Sequence, residues 1–261
     1  MPPPSTSRAF APRSLPSHVA EAVWRGSELS GSASRTIPSG FAALDGQLPG
    51  GGWPTHSLTE LLLPQEGLYE WRLLGPALPS LMEAGGRVYL IAPPHQPHAV
   101  GLAQLGLSPD QVVWVHARTS VDRLWTTEQI VKSGPTGAVL SWLPQARPEQ
   151  IRRLQIHAQS CDAPVFLFRP MARLGEASPA PLRATVAQAQ GWLLEVRVPK
   201  RRGASFEGAL YLDALPANLA AVIPPRLKSL QASAAASGRK ETFDARLLGR
   251  IASPAGQPLP H

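Results

Sequence analysis

Phosphate chemistry on a strand–loop–helix turn asks for a definite run of residues. In G-x-x-x-x-G-K-[ST], glycines let backbone N–H groups close on the phosphates, a lysine adds fixed charge and a hydroxyl holds Mg²⁺. This chain has the surroundings for such a run and none of its chemistry. A Gly-rich stretch, Leu48-Pro49-Gly50-Gly51-Gly52-Trp53-Pro54, leads into the apolar Leu58-Thr59-Glu60-Leu61-Leu62-Leu63-Pro64. In the frame that follows, Leu63 and Leu68 stand at the glycine positions, Tyr69 at the lysine and Glu70 at the hydroxyl. Leucines add Cβ atoms where backbone must approach phosphate. Tyr69 carries no fixed charge, and Glu70 sets a negative group where phosphates are expected. Two readings remain open: a nucleotide site that has been lost, or a helix opened by Gly67 that never held one. Both predict no phosphoryl transfer.

Other constellations are smaller. Lys200-Arg201-Arg202-Gly203, with Arg197 nearby, puts several cations on one turn, where each can neutralise a nucleic-acid phosphate in a salt-dependent way. A solvated turn is the alternative. His95-x-x-His98 has metal-ligand spacing but no evident third ligand, so a surface loop is expected. Cys161 lies one helical turn after His157, without an orienting carboxylate, so a core thiol is expected. Gln104-Leu105-x-Leu107 is a faint clamp-binding pattern, placed inside a core helix end. Of the seven tryptophans, most read as core, although single strands can stack on such rings.

The elements that must position these residues follow from periodicity. After residue 58, short apolar runs alternate with helical spacing. Strands are expected at Leu58–Leu63, 88–92, Val112–Val115, 138–143 and 165–168. Helices are expected over 68–81, 97–105, Ser120–Lys132 and from Pro148 to Ala158. Pro76 and Pro79 should interrupt the first of these helices. The pattern predicts βαβ units, hence an α/β fold with a mostly parallel sheet flanked by helices. Leu194, Val196 and Val198 then alternate with Glu195 and Arg197, and a second extended run covers 206–212. These two runs predict a C-terminal β-hairpin at the sheet edge, turning at residues 200–204.

Composition sets the limits. The 261 residues, 43% of them hydrophobic, are enough for one ample α/β domain with tails. Both ends are rich in the chain's 29 prolines, so residues 1–15 and 216–261 are predicted to be disordered, with a helix within 16–35 and the core at 36–215. The one cysteine excludes a disulfide framework and any Cys-rich zinc site. No signal peptide or membrane-length apolar run is present, so a cytoplasmic protein is expected. From Arg197 onward there are ten basic and four acidic residues, which places +6 of the net +7 in the last quarter. Within that tail, Phe243, Leu247, Leu248 and Ile251 form a locally apolar group that could anchor a protein partner.

The order of these motifs resembles the core of RecA-like ATPases: a Ser39-Gly40…Leu44-Asp45 turn, the Gly-rich run, then a strand with Glu60 before the phosphate loop. On that resemblance, Pro94 falls where a catalytic glutamate would orient water, and Leu140-Ser141-Trp142-Leu143 falls where a strand should end in a metal-binding aspartate. More closely, residues 20–215 resemble the ImuA family, RecA-like and SulA-like accessory proteins of translesion DNA synthesis. The matching stretches are Val23-Trp24-Arg25-Gly26, Ile37-Pro38-Ser39-Gly40-Phe41, Ile91-Ala92-Pro93-Pro94-His95, Phe166-Leu167-Phe168-Arg169-Pro170 and Val198-Pro199-Lys200-Arg201-Arg202-Gly203. The resemblance implies a non-catalytic adaptor of the SOS response without cofactor or metal. Its implied partners are ImuB (an inactive Y-family polymerase relative), an error-prone replicative-type polymerase subunit and RecA, and the basic turn at Lys200–Gly203 adds single-stranded DNA as a candidate. A SulA-type inhibitor of the division protein FtsZ, or a weak DNA-dependent ATPase, are the competing readings.

Overall fold

The computed structural model describes residues 35–83, 85–215 and 221–224. Apart from residues 221–224, the expected tails, the expected helix within 16–35, and Phe243, Leu247, Leu248 and Ile251 lie outside the described residues.

Eight strands form one sheet. They are β3 (Leu58–Leu63), β4 (Arg87–Ile91), β5 (Val112–Val115), β6 (Gly137–Trp142), β7 (Val165–Pro170), β8 (Leu182–Gln188), β9 (Leu193–Lys200) and β10 (Leu210–Asp213). The spatial order is β10-β9-β8-β3-β7-β6-β4-β5. From β8 to β5 every pairing is parallel, and β8–β9 and β9–β10 are antiparallel. Two further two-residue strands, β1 (Thr36–Ile37) and β2 (Trp53–Pro54), pair antiparallel beside it. The fold is therefore the expected α/β sheet, mostly parallel, with an antiparallel C-terminal strand pair at one edge.

Burial explains the central strands. All six residues of β3 and all six of β6 are buried. Parallel strands covered on both faces read as unbroken apolar runs rather than alternation. One face carries α2 (Glu70–Leu74), a 3₁₀ turn at Gly75–Ala77, α3 (Leu78–Glu83) and α4 (Ala99–Gln104), whose Leu73, Leu74, Leu78, Met82 and Leu102 join Leu61, Phe166 and Phe168 in one core. The other face carries α5 (Ser120–Lys132) and α6 (Pro148–Ala158), whose Leu124, Val131, Ile151 and Leu154 pack on Leu58, Val139 and Leu167. Helix α5 begins where Thr119 Oγ1 accepts the Asp122 N–H at 3.1 Å, and α6 begins with Pro148 in its first turn.

The Ser39-Gly40…Leu44-Asp45 turn is held from within. Asp45 Oδ1 accepts the Ser39 N–H at 2.8 Å around α1 (Ala42–Asp45), and Leu44 is fully buried. The Gly-rich run is a close-approach device, because a Cβ on Gly52 would sit 2.4 Å from the Ile37 carbonyl oxygen across the β1–β2 pair.

Three expectations are corrected. The helix expected over 68–81 starts at Glu70 and is broken into α2, the 3₁₀ turn and α3, with Pro76 in the break. In the run at 206–212, only the strand from Leu210 is regular, so a connection of residues 201–209, not a tight turn at 200–204, links β9 to β10. Strand β8 was not expected at all, although it lies between β3 and β9. Its buried Leu182, Ala184 and Val186 alternate with Arg183, Thr185 and Ala187, but Arg183 and Thr185 are buried too, which blurs the period of two.

Candidate functional site

The loop from β3 to α2 is closed by its own carboxylate. Glu70, at the first position of α2, is 1% exposed. Its Oε1 accepts the Gly67 N–H at 2.7 Å and the indole N–H of Trp142 at 2.9 Å, and its Oε2 accepts the Tyr69 N–H at 3.0 Å. Glu70 does more than set a negative charge at the loop: its side chain turns inward and takes up the backbone donors itself. Orphan N–H groups at a helix start must find an acceptor, and an anionic oxygen is the strongest one. Trp142 ends β6, where the family resemblance expects a carboxylate, and its ring stacks on Phe168 at 4.6 Å between centroids.

The remaining motif positions surround this closure. Leu63 is the buried end of β3, Leu68 is 49% exposed, and Tyr69 packs partly buried on the core. Gly67 has φ +87°, and a Cβ there would meet His95 Cδ2 at 2.5 Å and Pro94 Cγ at 3.2 Å. Gly67 therefore serves close contact with the segment after β4. Neighbouring Glu66 has a carboxyl pushed above its ordinary range, first by burial and then by the charge of Glu70, with Arg123 opposing. One of its oxygens, Oε1, is buried without a hydrogen bond.

Beside the loop, at the C-terminal ends of β3, β4 and β6, opens a groove of about 740 Å³. This is the region where α/β sheets bind ligands. Its walls include Trp71, Pro76, Pro79, Pro94, Leu102 and Leu105, and further prolines at 93 and 97. Proline has no N–H, so these walls offer few backbone donors for a phosphate and suit apolar groups. At one end Arg72 is tied to Gln188 Oε1 at 2.6 Å and to the Trp192 carbonyl, with its guanidinium 5.5 Å from the Trp192 ring centre.

No family model and no curated protein matches the chain.

The basic hairpin residues come together but are not equivalent. Arg197 Nε is 2.6 Å from Glu195 Oε1. Lys200 Nζ donates to the Ser178 carbonyl at 2.6 Å. Arg201 is an internal brace: it donates to the Gln47 carbonyl, to Gln47 Oε1 at 3.1 Å and to the Ala204 carbonyl at 2.6 Å, and it lies 5.8 Å from the centre of the Phe206 ring. Arg202 is exposed and makes no hydrogen bond or ion pair among the described residues. The four cations thus share one edge of the sheet, with Arg202 most available to a nucleic-acid phosphate.

Sequence reasoning missed a buried ion cluster. Glu60, fully buried on β3, accepts from Arg169 Nη1 at 2.7 Å and from Arg183 Nε at 2.8 Å. Arg169 also reaches Glu176 at 3.0 Å and the Ala146 carbonyl at 2.8 Å. The cluster joins β7, β3 and β8, and the β3–β8 register sets Glu60 opposite Arg183. His98 caps α4 through Nδ1, which accepts the Gly101 N–H at 3.3 Å. Among the described residues no three metal-binding side chains converge. Cys161 is buried, and burial chiefly pushes its thiol pKa up, which disfavours the thiolate. Leu107 is a core residue, as its helix-end position implied. No helix among the described residues is long and apolar enough to cross a membrane.

Proposed function

We propose that this chain is a non-catalytic adaptor in translesion DNA synthesis during the SOS response, working with an ImuB-like polymerase relative, an error-prone replicative-type polymerase subunit and RecA. The carrying observation is the Glu70 closure. The loop that would hold phosphates has its Gly67 and Tyr69 N–H groups taken up by a buried carboxylate. Pro94 stands where the resemblance expects a general base, and the strand end Leu140-Ser141-Trp142-Leu143 lacks the metal-binding carboxylate the resemblance expects. Phosphoryl transfer rests on positioning and charge stabilisation at those points. Their replacement supports an adaptor that works without nucleotide and argues against the weak-ATPase alternative. The hairpin edge at Arg197, Lys200 and Arg202 is the surface offered to single-stranded DNA.

Two experiments test this reading. Affinity capture with the tagged protein should retain ImuB and RecA and not FtsZ; retention of FtsZ alone would replace the adaptor with a division inhibitor. Fluorescence anisotropy of labelled single-stranded DNA should show salt-sensitive binding that ATP does not change. Binding that requires ATP would overturn the claim of nucleotide independence.

A further inference from the structure

We infer that the groove beside the Glu70 loop is the docking site of this chain's own segment 243–251. The proposal stands independently of the adaptor role.

The groove's chemistry points to an apolar segment. Its 740 Å³ is lined by Trp71, Pro76, Pro79, Pro94, Leu102 and Leu105. Prolines with fixed φ do not yield easily, so the walls keep the groove open rather than letting it collapse. The break in the helix at Gly75–Ala77 lies along the wall. The guanidinium of Arg72, the one strong cation there, is already bound by Gln188, Trp192 and Ala214. An anionic ligand therefore finds little, and an apolar helix face finds a matched trough.

The chain itself supplies such a face at the right place. Asp213, Ala214 and Leu215 line the groove, so the polypeptide leaves β10 along its wall. Beyond residue 224 the sequence runs on for 37 residues to His261. In it, Phe243, Leu247, Leu248 and Ile251 recur at i, i+4, i+5 and i+8, the spacing of one helical face, and Pro254 follows as a stop. Such a face extends about 12 Å along a helix axis, two turns or so.

The tether makes docking favourable. Phe243 lies 28 positions beyond Leu215. A random-coil chain of 28 residues has an r.m.s. span of about 30 Å, comparable to the diameter of a domain this size, about 40 Å. The effective concentration is then on the order of millimolar. A segment whose free affinity is only ~0.1 mM would be docked about tenfold more often than not. Docking would withhold Phe243, Leu247, Leu248 and Ile251 from partners until something competes for the groove.

The test uses the full chain carrying the photo-crosslinker p-benzoylphenylalanine in place of Gln96, an exposed groove residue. Irradiation of a mixture of light and isotopically heavy protein, followed by mass spectrometry, separates links within one chain from links between copies. The expected result is a link from position 96 to residues 243–251 of the same chain, reduced at least tenfold by Leu247→Asp/Leu248→Asp. The same probe in place of Val121, exposed on α5 on the opposite face of the sheet, should give no such link. Links to another copy's tail, to residues 1–34, equal linking from both positions, or no link to 243–251 would each overturn the proposal.

Discussion

Replacing Glu70 with alanine removes the acceptor of three hydrogen bonds: the Gly67 and Tyr69 N–H groups and the Trp142 indole. Gly67 and Tyr69 are half-buried, so water can partly replace their lost bonds. Trp142 is 2% exposed, so its indole N–H is the hardest of the three to rehydrate. An unsatisfied buried donor costs about 1–3 kcal/mol, and each bond to a charged acceptor nets about 1.5–3 kcal/mol. With two of three bonds partly replaced by water, Glu70→Ala should cost about 3–5 kcal/mol, out of a total stability of about 5–15 kcal/mol. At roughly 2–4 °C per kcal/mol for a domain of this size, Tm should fall by about 6–20 °C. Glu70→Gln keeps the shape. Its amide oxygen can serve Gly67 and Trp142 from the Oε1 position, but its NH₂ then faces the Tyr69 N–H, so one bond of the three is lost. That variant should cost about 1–3 kcal/mol. Urea denaturation followed by tryptophan fluorescence measures both values. A loss below about 1 kcal/mol for alanine, or a glutamine variant no more stable than the alanine one, would refute the account of the loop as held by its own carboxylate.

Other perturbations have definite signs. Glu60→Gln leaves Arg169 and Arg183 buried with a weaker partner and should cost about 3 kcal/mol by denaturant titration. Because the Glu66 carboxyl is raised by burial and by Glu70, the folded state binds that proton more tightly than the unfolded chain does. Its contribution is therefore fully present below the ordinary carboxylate range and is lost as pH rises through the raised value. Glu66→Gln should match wild type in acid and exceed it in Tm at neutral pH; a pH-independent difference would contradict this. Arg201→Ala should lower stability by about 1–3 kcal/mol, because it frees the Gln47 contacts. Arg202→Ala should change stability by less than about 0.5 kcal/mol while weakening salt-sensitive binding of single-stranded DNA, as read by anisotropy.

Most of the parallel half of the sheet was legible because its strands are apolar runs, buried on both faces in β3 and β6 and partly exposed at the edge in β5. Leu58–Leu63 and Val112–Val115 coincide with apolar runs, and Ser120–Lys132 is bracketed by a Thr cap and a glycine stop. Strand β8 was not, because its polar residues do not face water. Arg183 serves Glu60 from the neighbouring strand, so a side chain that reads as solvated is in fact interior. Charge read from sequence carries no information about its partner, and a partner 123 positions away is set by topology alone. The same limit applies to Arg201, which reads as a hairpin-tip cation and is bound to Gln47 across 154 positions.

The loop between β3 and α2 is satisfied from within. A backbone turn between a buried strand and a helix keeps its N–H groups whatever happens to its side chains, and each needs an acceptor. With Tyr69, Leu63 and Leu68 in this loop, the chain itself must supply that acceptor. Glu70 does so at the first helical position, where the helix dipole also favours a negative group. A carboxylate there would repel a second carboxylate at the end of β6, and that position holds Trp142, whose N–H donates to Glu70 instead. Glu70 and Trp142 are therefore joined in one buried interaction. The sequence shows Glu70 only as a negative charge, and the fold shows that this charge also serves as the loop's own acceptor.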